Sequence, residues 1–262
     1  MKRRNFLGAL TAASLGVVLE GSLPGQTSKT SKFLKGSAII LVHGAWADGS
    51  CWKDVILPLE RSGLQVICAP IPLTSLSNDA AALAWALEQT SGPVVLVGHA
   101  YSGAVIAAVR EDRVKSLVYV TALAPDEGET VAKVFYRDTP SPQRPKLVPD
   151  SHGLIWMPED GFRQAVTPNA SVDETSIAAA VQRPIAVQCI QEPAPVPAWR
   201  TKHSWFLVAE EDRMIPPKTQ RFMADRMRAS VRSYRVDHSP MLSAPEVVVN
   251  VILDAARETL SS

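Results

Sequence analysis

Three cysteines in 262 residues are too few for a disulfide framework, and no Cys-x-x-Cys pair or His-rich spacing marks a structural metal. Neither sign of charge is in excess: 27 Lys plus Arg stand against 26 Asp plus Glu, a formal net charge of +1. Such a chain has no field with which to hold a phosphate backbone, which argues against nucleic acid as a partner. It also lacks a G-x-x-x-x-G-K-S/T or G-x-G-x-x-G run to cradle a nucleotide, and nothing calls for a metal or an organic cofactor. No apolar run reaches the roughly 20 residues that a bilayer core requires, so no stable membrane span is expected once a leader has been removed.

What is present is a globular composition, 46% hydrophobic and 20% charged, long enough for one large domain or two small ones. The first twenty residues join Lys2, Arg3 and Arg4 to Phe6-Leu7 and an apolar stretch through Leu19. This resembles a twin-arginine export signal, which implies a bacterial periplasmic destination. No clean Ala-x-Ala site precedes the polar stretch 25–32, so an uncut tether stays open. Residues 1–36 are therefore read as signal and linker, and 37–262 as the folded domain.

From Ser37 short Val- and Ile-rich runs alternate with longer helical patterns. The runs are expected as strands at 38–42, 65–68, 94–97, 114–120, 204–208 and 231–236; the helices at 52–61, 77–89, 104–110, 219–228 and 245–258. The apolar runs are continuous rather than alternating, which predicts a mostly parallel sheet covered on both faces, a doubly wound α/β domain. The interval 125–199 breaks this rhythm, because it holds eleven of the twenty prolines and no long Val/Ile run. It reads as a cap inserted between two strands at about 125–200, with short helical parts near 158–165 and 173–181. Oligomeric state is not legible.

Open parallel sheets place their sites outside the carboxyl ends of the strands, which selects four loops. They are His43-Gly44-Ala45-Trp46-Ala47-Asp48-Gly49, Gly98-His99-Ala100-Tyr101-Ser102-Gly103, Glu210-Glu211-Asp212-Arg213-Met214-Ile215-Pro216 and Asp237-His238-Ser239-Pro240-Met241-Leu242. A strand, a glycine-flanked turn and a helix make a nucleophile elbow, here with alanine at its apex. Together these loops resemble the α/β-hydrolase superfamily, in particular the small-cap branch of plant methyl esterases, hydroxynitrile lyases and related bacterial hydrolases. The resemblance runs from about Ala38 to the C-terminus. It implies His238 as site base and Asp212 as its carboxylate, with Glu211 as fallback, and the backbone N–H groups of Ala45 and Tyr101 as an oxyanion hole. Asp237 is expected to project away from the His238 ring. His43 and His99 are expected to serve the buried backbone, Gly44 and Gly98 to relieve sharp turns, and Cys51, Cys68 and Cys189 to be apolar filling rather than nucleophiles.

Ala100 departs from the family pattern, since it stands where a serine is the rule. A methyl group cannot attack a carbonyl, and Ser102 is expected to point into helix packing. The remaining equipment still suits a small-molecule enzyme, esterase-like, that acts on a small apolar ester or carbonyl compound without a serine nucleophile. Three other readings stay open: a ligand-binding relative without turnover, a serine-independent lyase or decarboxylase, and a serine esterase inactivated by a Ser-to-Ala replacement. The pocket is expected to be apolar, lined by Trp46, Leu123, Met214, Ile215 and Met241 near the loops and by Phe135, Trp156, Met157 and Phe162 from the cap.

Overall fold

A computed structural model describes residues 36–260; the export signal read in the first twenty residues lies outside them. Eight strands are found among the described residues: β1 (Ala38–Val42), β2 (Gln65–Cys68), β3 (Val94–His99), β4 (Val114–Val120), β5 (Leu154–Ile155), β6 (Ile185–Ala186), β7 (His203–Ala209) and β8 (Ser230–Tyr234). Six of them form one sheet in the order β2-β1-β3-β4-β7-β8, every pairing parallel, while β5 and β6 pair antiparallel on their own.

The sheet sorts its side chains with period two. Ile39 and Leu41 of β1, Val95 and Val97 of β3 and Val118 and Val120 of β4 face one side. There they meet α1 (Lys53–Arg61) and the C-terminal helix Pro245–Thr259. Ile40, Leu96, Leu117 and Tyr119 face the other, against α2 (Leu76–Glu88) and α3 (Ser102–Ala108). With both faces covered, β1 reads as an unbroken apolar run and all five of its residues are buried. Each such Ile or Leu contributes roughly 1.5–3 kcal/mol, so continuous apolar strands mark the core.

The chain between β4 and β7 builds the cap. It holds α4 (Val131–Phe135), α5 (Glu159–Gly161) running into a π-helical turn at Phe162–Val166, α6 (Val172–Ala180), the β5–β6 pair and α7 (Val187–Gln191). After β7 come α8 (Pro217–Met227), α9 (Pro240–Ser243) and α10 (Pro245–Thr259). No helix among the described residues is long and apolar enough to cross a membrane.

Candidate active site

The turn from β3 to α3 is held open by absent side chains. A Cβ on Gly98 would stand 2.6 Å from the Ser102 carbonyl oxygen, and one on Gly103 only 2.4 Å from that of Leu123. The apex residue, Ala100, has φ +49, left-handed backbone that costs an L-residue about 1–2 kcal/mol. Gly44 on the facing loop leaves room for it, since a Cβ there would lie 3.0 Å from the Ala100 methyl. Ser102 is fully buried and its hydroxyl donates to the His43 carbonyl, so it is turned away from the apex. Gly103, next in the chain, permits the close approach of the Leu123 backbone.

Asp212, just past β7, and His238, past β8, come together. His238 Nδ1–H donates to Asp212 Oδ2 at 2.9 Å, and both residues are buried. The carboxylate is saturated: Oδ1 accepts the Met214 and Ile215 N–H groups at 2.7 and 2.9 Å, and Oδ2 also accepts Gln220 Nε2 at 2.8 Å. Gln220 further donates to the Ile215 carbonyl and accepts the Ala209 N–H, so one α8 side chain fixes the whole turn that carries Asp212. With Nδ1 committed, His238 keeps Nε2 as its basic nitrogen, and that atom has no hydrogen-bond partner among the described residues. Glu211 faces solvent beside Arg235 at 3.2 Å. Asp237 is turned to Ser239 N–H, Ser243 and the cap residue Asn169, and burial pushes its carboxyl up.

The Ala45 and Tyr101 backbone N–H groups donate no hydrogen bond among the described residues, and both residues line a cavity beside Ala100 and His238. The Tyr101 ring points the opposite way, its hydroxyl donating to Asp79 Oδ2 at 2.7 Å. Asp79 is fully buried. It also accepts the Leu73 N–H at 2.7 Å and lies 3.6 Å from the Cys189 thiol, with burial pushing its carboxyl up. Sequence reasoning missed both Gln220 and Asp79. Their signal was a polar residue on a helix's apolar stripe: Asp79 keeps period with Leu76, Ala82, Leu83 and Ala86, and Gln220 with Met223, Ala224 and Met227.

His43 and His99 bond backbone. His43 Nδ1 lies 2.9 Å from the Gly44 carbonyl oxygen, and His99 Nε2–H donates to the His238 carbonyl at 2.8 Å. Burial, reinforced by His238, drives the His99 imidazole down to about 3, and burial also lowers His43. The thiols are not activated: burial raises Cys51 well above the ordinary value, Cys68 to about 11 and Cys189 to about 12.

Two apolar cavities flank the centre. The first, about 170 Å3, has walls from Leu123, Phe135, Met214 and Ile215. The second, about 200 Å3, has walls from Phe162, Val166, Met241 and Leu242. Trp46 borders both; its indole N–H donates to the Ile155 carbonyl at 2.9 Å. Trp156 corrects the sequence reading. It borders neither cavity, is 49% exposed and bonds Asp150 at 3.3 Å, because alternation along the extended segment buries Ile155 and Met157 and turns Trp156 outward. Met157 is buried but lines neither cavity.

A family model described as "Alpha/beta hydrolase family" matches residues 39–251. The alpha/beta hydrolase nvfD of Aspergillus novofumigatus is 25% identical over 246 residues, spanning 85% of this chain and 98% of its own length. Putative methylesterase 14, chloroplastic, of Arabidopsis thaliana is 23% identical over 265 residues, 88% of this chain and 75% of that protein. Among solved structures, polyneuridine aldehyde esterase superposes with a TM-score of 0.74 at 16% identity, covering 85% of this chain and 99% of that one.

Proposed function

Since the chain belongs to the alpha/beta hydrolase family and is an esterase-like enzyme of it, we propose that it acts on a small apolar ester or carbonyl compound by acid–base chemistry at His238, with no covalent intermediate at position 100. One observation carries this reading: the Ala100 methyl lies where both cavities meet, beside a His238–Asp212 pair whose carboxylate is fully hydrogen-bonded.

On an ester, His238 Nε2 takes a proton from water as the water oxygen attacks the carbonyl carbon. The carbonyl oxygen becomes an oxyanion between the Ala45 and Tyr101 N–H groups. Collapse then expels the alcohol, which recovers the proton from His238. On a β-keto acid, His238 Nε2 takes the carboxyl proton, the electrons of the breaking C–C bond pass into an enolate held by the same two amides, CO2 departs, and the carbanion carbon takes that proton back from the imidazolium. One oxyanion donor is worth about 3–4 kcal/mol in the transition state, and general acid–base assistance adds roughly 10²–10⁴-fold. Two donors and an oriented base thus support catalysis without the serine, whose loss in a serine protease costs about a millionfold.

The left-handed backbone kept at Ala100 favours a second reading, a hydrolase that has lost its nucleophile. Turnover of activated aryl esters and β-keto acids by the wild type, His238→Ala and Ala100→Ser separates the two. Serine-free catalysis is expected to fall about 100-fold or more in His238→Ala and to gain nothing from Ala100→Ser. An inert wild type that Ala100→Ser converts into an efficient esterase identifies a lapsed serine hydrolase instead.

A further inference from the structure

The two cavities are separate spaces that share only Ala45, Trp46, Ala100 and His238. These are an oxyanion residue, the dividing indole, the apex and the base. The meeting point of the cavities is therefore the reaction centre itself. Each lobe is large enough for a ring, since an apolar cavity of about 150 Å3 accepts benzene. Trp46 keeps the lobes apart and is not free to swing: its indole N–H bonds the Ile155 carbonyl and its backbone N–H the Arg183 carbonyl at 3.1 Å, both on the cap.

From this arrangement we infer that the substrate is two-armed, an ester or ketone whose reacting carbonyl carries an apolar group of about benzene size on each side, one for each cavity. The inference rests on the reading of Ala100 and His238 as the reaction centre. A substrate with one small side, such as a methyl group, leaves one cavity without an occupant. The lobes also differ. The second runs to the Lys53–Glu174 ion pair, 3.1 Å between Nζ and Oε1, with Asp48 and Ser50 nearby. The first has Gln191 and Tyr136 as the polar residues of its wall apart from the centre's His238 and Tyr101. The second lobe thus offers charged partners to the far end of its arm, and the first only neutral ones.

Binding of unreactive ketones tests this without any turnover. 1,3-Diphenylacetone carries two rings about its carbonyl, phenylacetone one. Both would be titrated by calorimetry into the full chain, into Val187→Trp, which fills the first cavity, and into Ala178→Phe, which fills the second. Val187 and Ala178 are cap residues, partly exposed, that border one cavity each. The wild type is expected to bind the two-ring ketone at least tenfold more tightly, about 1.4 kcal/mol. Each variant is expected to lose that advantage while still binding phenylacetone through the lobe left open, which also reports that it is folded. Equal affinities in the wild type overturn the inference, as does an advantage that survives in either variant. Failure of the acid–base reading appears instead as an inert enzyme that still prefers two arms.

Discussion

His99 couples the site to pH through a single ring. Its Nε2–H supports the backbone carbonyl of His238, which leaves Nδ1 buried, unprotonated and without a partner. The folded imidazole titrates at about 3 against an ordinary 6.5, so between those values the unfolded chain binds the extra proton. Stability from this group is complete above about pH 6.5 and declines as pH falls, by about 1.4 kcal/mol per unit. His43, also lowered, acts in the same sense. Asp79 and Asp237, both raised, act in the opposite sense, since their folded forms take up protons first. The His99 share is isolated by His99→Gln, whose amide can keep the donor to the His238 carbonyl. Urea unfolding at several pH values from about 7 to about 5 is expected to show a shallower loss in His99→Gln than in the wild type. Parallel curves refute the assignment.

At the scale of elements, α8 does for Asp212 what the strand end alone cannot. Gln220 reaches back from the helix to Asp212 Oδ2, the Ile215 carbonyl and the Ala209 N–H. Gln220→Ala leaves buried backbone groups unpaired, each at about 1–3 kcal/mol. A lower denaturation midpoint is expected, together with a fall in kcat at little-changed KM, because Asp212 loses its anchor while the cavities keep their walls. A midpoint equal to the wild type would sink the assignment. The same contrast explains what was legible in the sequence. β1 begins and ends where its apolar run does, because a strand buried on both faces excludes polar residues; β2 and β4 keep their expected bounds although they carry Gln65 and Lys115, both exposed. The run at 94–97 continues through Gly98 and His99 in the structure, where the chain turns toward the site and composition changes. Asp212 and His238 were legible because strand-end loops carry function and because the loops that hold them resemble those of the α/β-hydrolase family. Gln220 was not, since one polar residue in an apolar stripe is indistinguishable from noise until its partners are seen. The cap was hardest to read: β5 and β6 are two residues each, held by tertiary contacts rather than by any periodicity.

Over the whole molecule, one group of ties between the cap and the sheet domain gathers around Trp46 and Leu73. Trp46 bonds Arg183 and Ile155, Leu73 accepts the Ala186 N–H, and Arg183 donates to the Ile71 carbonyl. Asp79 joins these ties: one buried carboxyl holds the Tyr101 hydroxyl beside the elbow, the N–H of Leu73 at φ +60 and the Cys189 thiol of α7. The oxyanion residue, a left-handed turn and the cap thus share one acceptor. Asp79→Ala strands three buried donors, the thiol the weakest of them, and opens a void, which predicts a loss of several kcal/mol, at about 1–3 kcal/mol for each unpaired group. Asp79→Asn keeps an acceptor for Leu73 and offers its amide N–H to the Tyr101 oxygen, so it is expected to cost about 1 kcal/mol. Because the severed ties lead to α7, hydrogen exchange across 185–191 is expected to quicken in Asp79→Ala before the sheet amides do. If exchange instead rises uniformly, or if Asn proves as harmful as Ala, Asp79 is ordinary core filling and the cap is held by its other contacts.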